Sequence, residues 1–212
     1  MKRLLLPLVA AAFALLAPVS ASAHPLGNFT INRFSRIEVS GQRLYVLYVL
    51  DMAEIPTFQA GRIDARAYAR RIARRAHLTV DGKPVELVAG PTALAHPPGA
   101  AGLRTTRLEV LLVGPSIGGS SRIAYHDANY SDRIGWKEIV VGRTAHSTSD
   151  ELRAYPKSML QSPLDITSAQ ATVAPTNDPV PRLARGETLE APDRVADSGF
   201  AKLVGRRHPG SG

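Results

Sequence analysis

The sequence predicts a mainly β protein, an antiparallel, immunoglobulin-like β-sandwich carrying one inserted amphipathic helix and followed by a proline-rich C-terminal tail. Three observations lead there. Short segments alternate apolar and polar residues and are separated by Gly, Pro and Asp turns, the pattern of half-buried strands. One segment alone changes to a helical period. Beyond residue 144 apolar periodicity fades among Pro156, Pro163, Pro175, Pro179, Pro181 and Pro192. Together they favour a sandwich over a helical or doubly wound fold.

The elements follow in order. Residues 30–39 alternate, with Ile31, Arg33, Ser35, Ile37 and Val39 on one side and Thr30, Asn32, Phe34, Arg36 and Glu38 on the other. Ser40-Gly41-Gln42 reads as a turn into a second strand at 43–51, rich in Val, Leu and Tyr. Asp51 to Gln59 ends that strand and turns at Pro56. Residues 64–76 put Ile63, Ala67 and Ile72 on one face and arginines on the other, with Asp64 as N-cap, so a helix is expected. A second hairpin joins 77–80 to 84–88 through Asp81-Gly82. Residues 90–102 are rich in Pro, Gly and Ala and read as a loop; 105–113, 121–126 and 136–141 complete the strands.

The first residues carry a different signal. Lys2 and Arg3 precede an apolar stretch at 4–18, and Ala21 and Ala23 occupy the small-residue positions of an A-x-A cleavage site. Pro7 interrupts that stretch, and it is shorter than the roughly 20 residues a spanning helix requires. Residues 1–23 are therefore read as a cleaved secretory signal, 24–144 as the sandwich domain and 145–212 as an extended linker or tail. No second apolar run of spanning length follows. The expected location is the periplasm.

Composition narrows the function classes. There is no cysteine, so disulfides, thiolate metal sites and cysteine nucleophiles are excluded, and stability must come from a packed core. The net charge of +8 falls to about +6 once Lys2 and Arg3 are removed. A basic chain invites a nucleic-acid reading. Here the cluster Arg62, Arg66, Arg70, Arg71, Arg74 and Arg75 lacks interleaved aromatics, and export argues against that partner. These arginines read as a solvated helix face that would meet anionic headgroups if the domain lies beside a bilayer.

Cleavage after Ala23 would make His24 the first residue, with an imidazole and a free α-amine able to chelate a transition metal. None of the six histidines forms an H-x-x-x-H or H-x-H pair. A larger metal site would have to be assembled by folding, with His126 or Asp127 joining His24. The stretch 126–138 places oxygen residues at calcium-loop spacing, but Asp132 stands where the sharp turn demands glycine. No G-x-S-x-G elbow occurs, and Asp51 with Glu54 does not by spacing alone make an acid/base pair. The chain is not read as an enzyme.

Four segments carry a resemblance: His24-Pro-Leu-Gly-Asn-Phe-Thr-Ile-Asn-Arg-Phe-Ser-Arg-Ile-Glu38, Asp51-Met-Ala-Glu-Ile-Pro-Thr-Phe-Gln59, Asp127-Ala-Asn-Tyr-Ser-Asp-Arg-Ile-Gly-Trp-Lys-Glu-Ile139 and Leu152-Arg-Ala-Tyr-Pro156. They are similar to the extracytoplasmic N-terminal region of some bacterial nickel/cobalt high-affinity transporter-type permeases, a likeness reaching to about residue 204. The resemblance implies a periplasmic domain that captures, senses or hands over a divalent metal, Ni²⁺ or Co²⁺ with Cu²⁺ or Zn²⁺ as alternatives, beside a membrane permease region or partner. In that family membrane helices follow and carry the permeation residues. This sequence stops at Gly212, so it is expected to be a fragment or a stand-alone soluble domain. The matched positions include His24, Asp51, Glu54, Asp127 and Trp136; the metal-ligand candidates are His24, His126 and Asp127. The competing expectation is an exported interaction or scaffold module without a metal site, docking through a sheet edge or the 62–75 helix.

Overall fold

The computed structural model describes residues 24–183, so the expected signal segment and the end of the tail lie outside the described residues. Among the described residues nine strands form two sheets. In chain order they are β1 (Ile31–Ser40), β2 (Arg43–Met52), β3 (Ala76–Val80), β4 (Lys83–Val85), β5 (Val88–Ala95), β6 (Thr106–Ser116), β7 (Ser121–Asp127), β8 (Lys137–Val141) and β9 (Ser168–Val173). The larger sheet has the order β5-β6-β2-β1-β8 and the smaller β4-β3-β7-β9. Helices α1 (Glu54–Ala60) and α2 (Ala65–Arg75) lie between β2 and β3.

The expected β-sandwich is present. One core cluster draws Ile37, Val46, Tyr48, Leu50 and Leu108 from the larger sheet, Leu78, Ile123 and Tyr125 from the smaller, and Ala69 and Ile72 from α2. Burial of this shared apolar face is the main stabilising term, since no disulfide contributes. The expected first hairpin is present, with Ile31 opposite Met52 and Ser40 opposite Arg43, so Ser40 ends the strand instead of starting the turn. Asp81 and Gly82 both take positive φ, 50° and 78°, as the mirror-image hairpin turn requires. The Asp64 carboxylate caps α2, accepting from the amides of Arg66 (2.9 Å) and Ala67 (3.1 Å).

Four sequence expectations need correction. β8 runs parallel to β1, Arg33 opposite Lys137 and Ile37 opposite Val141, so the sandwich is not wholly antiparallel. Asp51 to Gln59 holds a second helix; Pro56 sits in the first turn of α1, where its missing N–H costs nothing. The expected loop at 90–102 begins instead as β5, which pairs with β6 through a register shift between Ala89 and Thr92. The largest correction concerns residue 144 onwards. Residues 145–183 are not an extended linker: β9 pairs with β7, and Leu152, Tyr155, Met159, Leu160, Leu164 and Leu183 pack on Phe34, Leu47, Val49 and Trp136. They cover the second face of the larger sheet, and the domain therefore extends well past 144. No helix of the described residues is long and apolar enough to cross a membrane.

Candidate functional site

His24 is only 4 % exposed and lies on the covered outer face of the larger sheet. Strand alternation puts it there: Asn32 of β1 and Asp51 of β2 are cross-strand partners, and both share the face of Phe34 and Val49. The turn Pro25 to Thr30, closed by the Gly27 amide donating to the His24 carbonyl (2.8 Å), folds the imidazole back over that pair.

His24 Nε2 meets Asp51 Oδ2 at 2.7 Å. Because the carboxylate accepts, Nε2 carries the proton and Nδ1 is turned the other way, beside the Leu26 amide and the Thr30 hydroxyl at 3.4 Å each. Asn32 has its orientation fixed by Oδ1, which accepts from the Trp136 amide (2.9 Å); its Nδ2 then donates to Asp51 (3.3 Å). The Tyr155 hydroxyl adds a third donor to the same carboxylate (3.3 Å), its ring lying edge-on to Trp136. Burial on its own would raise Asp51. His24, by charge and hydrogen bond, together with Arg107 and Asn32, outweighs that and holds the carboxyl below its ordinary range. For Tyr155 burial and the Asp51 charge act together and push the hydroxyl well up, so it stays a neutral donor.

This network continues into charged pairs under the 145–160 segment. Arg107, opposite Asp51, forks onto Glu109 at 2.9 and 3.1 Å and donates to the Glu151 carbonyl (3.0 Å). Glu138 accepts from Trp136 Nε1 (2.9 Å), the Thr148 amide (2.6 Å) and the Ser149 hydroxyl (2.5 Å).

His126 and Asp127 go elsewhere. They are neighbours on β7 and therefore point to opposite faces. His126 is exposed on the outside of the smaller sheet, with Nδ1 near Ser168 Oγ (2.9 Å) and its ring stacked on His77, its cross-strand partner. Asp127 is buried between the sheets. It accepts from Arg33 Nε (2.7 Å), Tyr48 (3.2 Å) and Asn129 Nδ2 (2.8 Å). Arg33 belongs to the β1 face opposite Asn32, so the larger sheet separates Asp127 from His24. The structure therefore corrects the three-residue site: His24, His126 and Asp127 do not converge. Among the described residues there is no cluster of three or more His, Asp or Glu side chains placed to hold a metal ion.

Sequence reasoning missed Asn32, Tyr155 and Arg107 as members of the network. Asn32 was within reach, since it sits on the same predicted β1 face as Phe34; Tyr155 was not, because it lay in what read as a tail. Glu54, another matched position, is buried and accepts from the Ala100 amide (2.8 Å), which ties α1 to the turn before β6. Comparison with protein-family models, curated proteins and solved structures finds no match for this chain.

Proposed function

We propose that this chain is the exported, periplasmic domain of a nickel/cobalt transporter-type protein and that it handles a divalent metal at its processed N-terminus. The observation that supports this reading is the 2.7 Å contact between His24 Nε2 and Asp51. A histidine ligand characteristically donates its second ring N–H to a carboxylate, which sets the tautomer and raises the basicity of the ligating nitrogen. Here that arrangement leaves Nδ1, the nitrogen that closes a chelate ring with the α-amine of the same residue, free of a carboxylate partner. His24 supplies both donors; Asp51, Asn32 and Tyr155 position them. Remaining coordination positions are left to water or to the membrane partner that takes the ion on. Capture would weaken in acid, because both nitrogens must be deprotonated to bind. The resemblance of residues 24–38 and 51–59 to the transporter-type domains supports the same assignment.

The test is calorimetric titration of the chain beginning at His24 with Ni²⁺, Co²⁺, Cu²⁺ and Zn²⁺. Micromolar or tighter binding is expected, abolished in His24→Ala and in a chain that retains Ala23, and weakened about 10–100-fold in Asp51→Asn. Absence of binding to all four metals would overturn the reading. It would leave an exported docking module as the better account, a reading favoured by apolar side chains exposed at one end of the sandwich.

A further inference from the structure

Three large apolar side chains stand in solvent where β1 begins and β2 ends: Phe29 (61 % exposed), Phe58 (74 %) and Ile134 (69 %). They come from three segments, the turn before β1, helix α1 and the loop before β8. Hydrogen bonds bring these segments to one place. The Ile55 amide donates to the Asn28 carbonyl, the Ala53 amide to Thr30 and the Ile31 amide to Ile134, each at 3.0 Å. Isolated exposed apolar residues need no explanation, but three gathered at one end do.

Arginines surround this tip. Arg62 follows α1 just after its Gly61 cap, and Arg133 precedes Ile134. Arg71 and Arg75, on the last turns of α2, reach the same loop, through the Tyr130 hydroxyl (3.3 Å) and the Ala128 carbonyl (3.0 Å). Ion pairs of the described residues engage Arg33, Arg36, Arg107, Arg143 and Arg153 rather than these four. Three exposed acids share the region: Asp64, occupied as the cap of α2, Asp132, and Asp165, paired with Lys137 at 2.8 Å. Cationic charge therefore predominates around the apolar side chains.

We propose that this tip docks the domain on an anionic membrane surface, with Phe29, Phe58 and Ile134 entering the headgroup boundary and the arginines meeting lipid phosphates. Aromatic and aliphatic tips beside guanidinium groups are the complement of that interface, apolar below and anionic at the surface. The proposal rests on export to a membrane-facing compartment and not on metal capture. It orients the molecule, because the β1–β2 turn then points away from the bilayer and the His24 network lies at the membrane-proximal end.

The experiment uses the chain beginning at His24, in chelator, with vesicles of phosphatidylcholine alone or mixed with phosphatidylglycerol. Sedimentation with the anionic vesicles is expected, falling as salt is raised. A Phe29→Ser, Phe58→Ser, Ile134→Ser variant is expected to bind about tenfold less or weaker still, with unchanged circular dichroism. In a separate Phe58→Trp variant the added indole should shift its emission to the blue on binding. The matching Val88→Trp change lies at the far end, where Val88 pairs with Val113 and that residue with Tyr45; no shift is expected there. Equal binding by the triple variant, or no binding to anionic vesicles, would overturn the proposal. Protection of residue 58 only by membranes containing a protein partner would overturn it in favour of that partner. Because metal is absent throughout, either failure leaves the metal titration to be judged separately.

Discussion

Asp51 concentrates the chemistry of the N-terminal network in one carboxylate. It is buried, so its charge is tolerated only because His24, Asn32 and Tyr155 donate to it and Arg107 lies opposite. Its folded pKa is depressed, so the unfolded chain takes up the proton first as pH falls. The stability Asp51 contributes is complete above its unfolded value of about 3.9 and is lost as pH falls through the lower folded value. Glu38 works in the other direction: burial raises it in spite of Arg143 and Arg36, so its contribution declines as pH rises through the region above about 4.3. Urea unfolding between pH 2 and 6 should therefore give a steep acid loss that flattens in Asp51→Asn. An unchanged acid slope in that variant would show that another carboxylate governs it. Removing the donor instead, His24→Ala, leaves the buried carboxylate with fewer partners and is expected to cost roughly 3 kcal/mol, read from the urea midpoint at pH 7.

Elements differ in how locally they are specified. Helix α2 is built from its own sequence: Asp64 caps it, Arg74 and Arg75 end it, and Ala69, Ile72 and Ala73 form its buried face. Asp64→Ala should cost about 1 kcal/mol, visible as a lower thermal midpoint without loss of the sheet signal. Strand β8 depends on a partner far away in sequence. The Ile31 and Arg33 amides bond to the Ile134 and Trp136 carbonyls, and Gly135 between them takes φ +145° hard against the Ile31 carbonyl. A methyl group there would run into that oxygen, so Gly135→Ala should prevent the β1–β8 join from closing. The check is the near-ultraviolet signal of Trp136, the single tryptophan, which is fully buried in the native fold.

For the whole molecule the segment after residue 144 decides what is core. Leu152 and Tyr155 close a second apolar cluster around Phe34, Leu47, Val49 and Trp136, and β9 completes the smaller sheet. The two sheets and this cover should unfold as one unit. Tryptophan fluorescence, which reports the cover, and far-ultraviolet dichroism, which reports the strands, are expected to show the same denaturant midpoint. Separated transitions would mean that the cover is an independent attachment. Leu152→Ala, at 0 % exposure, should shift both together by about 2–5 kcal/mol.

Local pattern by itself determined the fold class, the first hairpin, the Asp81-Gly82 turn and the capped helix α2. In each case the decisive contacts fall between residues close in sequence, so alternation, turn chemistry and capping were enough. Only the tertiary structure decided which charges are buried. Asn32, Arg36, Glu38, Asp51, Arg107 and Glu109 have the pattern of a sheet face open to water, yet a distant proline-rich segment covers them, and the polarity that reads as solvent exposure serves instead to pair them with one another. The long-range members of that pairing, His24 with Asp51 and Arg36 with Glu151, lie tens of positions apart, and no local period records them.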